Sequence, residues 1–183
     1  FKIITNISLI TSLEEKKIIP YYSSIEISYI IEDIIDFYIK YALYKDIKIK
    51  FINKIKSDTI VQDYSLLKEC LGNLITNAIK FSPVGSEISI IAYSESINQD
   101  MIPKIVFEVI DEGPGIKEQE QDKIFKKFAK LSSIPTNREL TTGLGLAITK
   151  LIAEVLKSDI EFESQFGKGS KFSIKFPINH VVS

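Results

Sequence analysis

The stretch TTGLGLAITK, residues 141–150, decides how this chain is read. A loop bearing Gly143 and Gly145 runs straight into an amphipathic segment, with Leu144, Ile148, Leu151, Ile152 and Val155 on one side. Glycine lets a backbone turn without a Cβ clash, and the N–H groups that open a helix converge where its dipole is positive. Such a loop can cradle an anion, although most glycine-to-helix junctions are structural. Two unusual segments lie upstream of it.

The first is LKECLGNLITNAIKFS, residues 67–82. At about 100° per residue, Leu67, Leu71, Leu74, Ile75 and Ala78 form an apolar stripe, and Asn73, Asn77 and Lys80 cluster on the other side. A solvated polar face is the ordinary explanation. Two asparagines in mid-helix are nevertheless poor helix formers where Glu or Lys would serve. Amide oxygens are neutral hard ligands suited to Mg²⁺ that already carries phosphate oxygens, and Lys80 supplies charge for a polyphosphate. The second segment is VFEVIDEGPGI, residues 106–116, an apolar strand ending at Asp111 in a glycine-rich turn. Asp, Gly and Pro are ordinary turn residues. A carboxylate at a pocket lip can also accept from an exocyclic amine, with flanking glycines admitting a flat base. Residues 112–142 between these motifs form a loop long enough to be a lid, with Ile124, Phe125 and Phe128 as its hydrophobic anchor. Lys126, Lys127, Lys130 and Arg138 could meet phosphate there, or simply be solvated.

Composition narrows the function classes. The 183 residues are 45% hydrophobic, enough for one sizeable core. A net charge of −1 offers no basic excess for nucleic-acid binding. The lone cysteine, Cys70, excludes an internal disulfide and reads as a small buried side chain in a helix. The lone His180 rules out a multi-histidine metal centre. No apolar run reaches the ~18 residues a membrane span needs, and no signal peptide is visible. With Phe1 in place of methionine, the chain reads as a piece of a longer protein; it is expected to be cytoplasmic, or the cytoplasmic part of a membrane-bound parent, with no membrane contact of its own.

Residues 1–19 read as the end of a helix plus linker, with a boundary at Pro20, and residues 20–183 as one domain. Periodicity predicts strands at 25–27, 47–51, 87–93 and 105–110, helices over 30–42 and 66–81, and a short helix near 119–128. A hairpin over 160–163 and 171–176 closes the chain. The predicted class is α+β: a two-layer sandwich of helices on a mixed, mostly antiparallel sheet, with a long lid.

Taken together, the motifs carry a resemblance. Asn73…Asn77-Ala78-x-Lys80-Phe81-Ser82-Pro83 resembles the N box of sensor histidine kinases, and Asp111-x-Gly113-x-Gly115 resembles their first glycine box. Residues 124–128 are similar to the F box, 142–148 to the second glycine box, and 167–172 to the closing turn. The resemblance spans residues 22–177 and points to the ATP-binding catalytic domain of histidine kinases, in the GHKL superfamily with its Bergerat fold.

The resemblance implies ATP and Mg²⁺ as cofactors, with Asn77 a metal ligand helped by Asn73. Lys80 is expected to meet phosphate, so Asn73, Asn77 and Lys80 form the catalytic set. Phe81 is expected beside the nucleotide and Asp111 on the adenine amine. Gly113, Gly115, Ile116 and Ser170 complete the base side. Thr142, Gly143, Leu144, Gly145 and Leu146 cradle the phosphates, and Lys130 approaches from the lid. Asn73 stands where hydrolytic relatives carry a glutamate base, so transfer is expected over hydrolysis. Thr141 replaces a further glycine, Lys130 stands where arginine is frequent, and a glycine-rich turn is missing around Lys157-Ser158. The implied activity is donation of the γ-phosphate to a histidine on a neighbouring helical domain of the same parent protein. Implied partners are that domain, a response regulator, and a second copy paired through helices N-terminal to this domain. A non-catalytic nucleotide sensor and a serine-directed kinase of the anti-sigma type are the alternatives.

Overall fold

The computed structural model describes residues 2–56, 58–95, 103–136 and 141–178. The chain opens with α1 (Lys2–Glu14), β1 (Tyr22–Glu26) and α2 (Ile27–Tyr44), then β2 (Lys48–Asn53), β3 (Thr59–Asp63) and α3 (Tyr64–Phe81). It continues through β4 (Glu87–Glu95) and β5 (Lys104–Asp111) to a short 3-10 helix (Glu118–Lys123), and closes with α4 (Gly145–Val155), β6 (Asp159–Gln165) and β7 (Gly169–Pro177).

The main sheet has the order β2-β4-β5-β7-β6; β2 and β4 run parallel and the other neighbours antiparallel. The mixed, mostly antiparallel sheet backed by helices is therefore the observed architecture. Alternation does the sorting: Ile88, Ile90 and Ala92 of β4 are buried, as are Ile105, Phe107 and Val109 of β5. Phe107 meets Phe176 edge-on at 6.0 Å between ring centres, and each such burial contributes roughly 1.5–3 kcal/mol. The other face carries cross-strand ion pairs, Lys175 with Glu161 at 3.0 Å and Lys171 with Glu163 at 2.6 Å, as a solvated sheet face does.

Three expectations change in detail. The first strand is Tyr22–Glu26, and Ile27 already belongs to α2. β3 was not expected; it pairs antiparallel with β1 as a separate two-stranded ribbon. The short helix near 119–128 is a 3-10 helix that stops at Lys123.

α1 does not project from the fold. It packs on α4, and its Ile10 and Leu13 are buried in the main core. Among the described residues, no helix is long and apolar enough to cross a membrane.

Candidate functional site

α3 positions the first group of side chains. Asp63 caps its N-terminus, accepting from Leu66 N–H at 2.9 Å. Lys45, only 2% exposed, caps the other end: its Nζ donates to the carbonyls of Ile79 at 2.5 Å and Lys80 at 3.0 Å. The face carrying Asn73, Asn77 and Lys80 is not the solvated one. Asn73 is 8% exposed, and all three line a cavity of about 480 Å³ together with Thr142, Gly143, Gly145, Leu146, Lys130 and Phe81. Glu69 Oε1 accepts from Asn73 Nδ2 at 3.1 Å, which leaves the amide oxygen turned toward Gly145. The apolar stripe of α3 is wider than its periodicity implied, because Cys70 and Gly72 are buried as well. Cys70 is fully enclosed, and burial pushes its thiol far up, away from any nucleophilic role.

A smaller cavity of about 60 Å³ adjoins the first, sharing Asn77, Phe81, Leu131, Ser133 and Leu146 with it. Asp111, Gly115, Ile116 and Ser170 line it too. Asp111 is 9% exposed at the end of β5, and burial pushes its pKa up to about 6 against the pull of the Gly113 and Ser170 backbone N–H groups. Gly113 N donates to Asp111 Oδ1 at 2.8 Å. Gly115 has φ +66, and a Cβ there would lie 2.1 Å from Gln165 O, so only glycine fits the turn.

The lid closes over both cavities. Ser133 Oγ donates to Gly115 O at 3.0 Å, and Thr136 donates through N to Lys80 O at 3.1 Å and through Oγ1 to Ser82 O at 2.8 Å. Ile124 is buried, and Phe125 meets Phe162 edge-on at 5.9 Å. Phe128 is not the anchor expected of it. Its left-handed backbone (φ 58) leaves the ring 58% exposed, while its N–H donates to Gly143 O at 2.9 Å. Of the lid lysines, Lys130 lines the larger cavity, whereas Lys126 faces Asp122 at 3.6 Å and Lys127 pairs with Glu14 at 2.5 Å. Arg138 and His180 lie outside the described residues.

Gly143 sits at φ +67 where a Cβ would come within 2.7 Å of Ala129 O, so the second glycine loop is shaped by its contact with the lid. Leu144 contributes differently from its neighbours: its side chain is fully buried, and its N–H turns to Thr142 Oγ1 at 3.3 Å. Gly113 likewise supports Asp111 through its backbone and lines a separate shallow groove, not the cavity that holds Asp111.

The donor chemistry tests which groups fit. No cluster of three or more His, Cys, Asp or Glu among the described residues could hold a metal. The two amides of Asn73 and Asn77 leave most of a coordination shell to other oxygens, which fits Mg²⁺ arriving on a polyphosphate. Lys80, Lys130 and the open end of α4 supply positive potential around the same space.

The model of the histidine kinase-, DNA gyrase B- and HSP90-like ATPase family matches residues 62–180. The chain belongs to this family. Among curated relatives, the autoinducer 2 sensor kinase/phosphatase LuxQ of Vibrio cholerae is 35% identical over 119 residues, which are 65% of this chain and 14% of LuxQ. The circadian input-output histidine kinase CikA of Synechococcus elongatus is 34% identical over 66% of this chain and 15% of its own length. The aerobic respiration control sensor protein ArcB of Escherichia coli K12 is 36% identical over 63% of this chain and 14% of ArcB. The chain thus spans about a seventh of these relatives. Full-length ShkA in complex with AMPPNP shares the fold at a TM-score of 0.81 and 21% identity, covering 100% of this chain and 36% of ShkA. The histidine kinase AdeS of Acinetobacter baumannii does so at 0.76 and 24%, covering 97% of this chain and 77% of AdeS.

Two positions in this histidine kinase-type ATPase domain had no motif to announce them. Lys45 lies in the turn after α2, outside every box. Asn6 of α1, 7% exposed, lines the larger cavity along with residues of α3 and lies outside every box. Its one signal was a polar residue on the same helical stripe as Ile10 and Leu13.

Proposed function

We propose that the cleft between α3, the end of β5 and the lid binds Mg·ATP, and that the γ-phosphate passes to a histidine on a helical domain of the parent protein. The observation that carries this reading is the junction of two cavities at Asn77. One is polar and lined by lysines and glycine backbone; the other is narrow, with Asp111 at its wall. A triphosphate suits the first and a purine the second. Asn77 and Asn73 would hold Mg²⁺, which when bound neutralises phosphate charge as the bond to the departing ADP loosens. Lys80 and Lys130 add charge, Asp111 accepts from the adenine amine, and Phe81 and Ile116 exclude water beside the base.

Transfer is favoured over hydrolysis by what faces the phosphate end. The described lining of the larger cavity contains no carboxylate and no imidazole, and Glu69 is engaged by Asn73. No base on α3 addresses a water, so positioning of an acceptor nucleophile supplies most of the rate. The acceptor histidine, the response regulator downstream and the pairing into a homodimer are assigned to the rest of the parent protein.

The test mixes this chain with radiolabelled ATP, Mg²⁺ and a histidine-bearing helical hairpin from the same parent. Acid-labile, base-stable label on the hairpin, with slow release of phosphate in its absence, is the expected result. Tight Mg·ATP binding with no label on a folded hairpin would leave a nucleotide sensor as the better description.

A further inference from the structure

Asn6 is a buried amide without a partner. Its side chain is 7% exposed and lines the larger cavity with Asn73, Asn77, Lys80 and Gly145, yet its carboxamide makes no hydrogen bond among the described residues. Side-chain amides enclosed this far are nearly always paired, and the polar atoms of Asn6 open onto the cavity. The cavity is where a partner must come from. Asn6 is absent from the lining of the narrower cavity around Asp111, so it addresses the end of the cleft away from the base side.

The rest of α1 holds this amide in place. Ile10 and Leu13, one and two turns on, are buried in the core, and the helix packs along α4. At its C-terminal end Glu14 Oε1 meets Lys127 Nζ of the lid at 2.5 Å. Both partners of that pair are half exposed, so it contributes little to stability, but it ties α1 to the element that closes the cleft. One helix therefore touches the lid at one end and the polar cavity near the other.

We propose that Asn6 binds the terminal phosphate of a nucleoside triphosphate, its Nδ2–H donating to a γ-phosphate oxygen. The seating of α1 and occupancy by a triphosphate then favour one another. This rests on the nucleotide reading above and adds a contact from outside the matched family region. ADP lacks the group that Asn6 meets, so it binds without regard to α1. Because coupling is reciprocal, any factor by which seated α1 tightens ATP is the factor by which ATP seats α1.

The test titrates the 183-residue chain, its Asn6→Ala and its Asn6→Asp variants with ATP and with ADP in Mg²⁺. Asn6→Ala should weaken ATP about five- to tenfold and ADP by less than twofold, as loss of one charge-assisted hydrogen bond requires. Asn6→Asp places a like charge at the phosphate and should weaken ATP further, again sparing ADP. In the parent chain, ATP should slow amide exchange across α1 more than ADP does, a reading that needs no variant to fold. Equal ATP affinity in parent and variants, parallel losses of ATP and ADP, or identical α1 exchange with both nucleotides would overturn the assignment. A parent chain that binds neither nucleotide sinks the nucleotide reading itself, which is a different failure.

Discussion

Asp111 carries two opposing demands on one carboxyl. It accepts a hydrogen bond from an adenine amine most strongly when ionised, while burial holds its pKa up to about 6. The sign follows from linkage. A folded pKa above the unfolded 3.8 means the folded chain binds the proton more tightly; that contribution to stability is complete below pH 4 and is lost as pH rises through about 6. Nucleotide binding runs the other way, weakening as pH falls through 6, with a proton released on binding in that window. Titrations in buffers of different ionisation heat should reveal that proton. Asp111→Asn should weaken ATP at least tenfold at pH 8 and leave tripolyphosphate within twofold, because a hydrogen bond to a charged group contributes roughly 1.5–3 kcal/mol. Its melting temperature at pH 8 should be unchanged or higher, since the buried charge is gone; equal losses for both ligands would show that Asp111 does not read the base. Asp111 was legible in the sequence because a glycine-flanked acid ending an apolar strand is a local pattern. Asn6 and Lys45 were not, because their burial is decided by neighbours remote in the chain.

Among the elements, α3 shows how a motif is held rigid. Its C-terminal carbonyls are closed by the buried Lys45, so the turn bearing Asn77 and Lys80 is fixed from outside the helix. Lys45→Met keeps the stem and removes the donor; it should cost about 1–3 kcal/mol in chemical denaturation and weaken ATP as well. Unaltered stability would mean that water closes those carbonyls equally well. α4 ends in strain instead. Lys157 sits at φ 51, a left-handed position that favours glycine, and it is where the family's glycine-rich turn was missed. Lys157→Gly should therefore stabilise the chain by about 0.5–1 kcal/mol, read as a rise in melting temperature; a fall would mean that the lysine side chain outweighs its backbone. The long periodic helices and alternating strands were readable because one face of each packs on a single core. β3 was missed because Thr-Ile-Val-Gln-Asp is too short to show a period and finds its partner, β1, across all of α2.

At the scale of the molecule, the sheet order brings the end of β5 beside α3, and the lid ties both to the start of α4 through Ser133, Thr136 and Gly143. Three sequence-distant stretches thereby border one cleft. Their order along the chain was legible as a family pattern, whereas the place of α1 was not. The composition change at Pro20 gives no sign of it: Ile10 and Leu13 lie in the same core as α3 and the sheet. The most direct measurement is calorimetric titration of this chain with ATP, with and without Mg²⁺, beside Asn77→Ala. One saturable site is expected in the parent, losing at least tenfold in affinity without Mg²⁺, with the same loss in Asn77→Ala whether or not the metal is present. No heat from a folded chain, or affinity indifferent to both Mg²⁺ and Asn77, would contradict it.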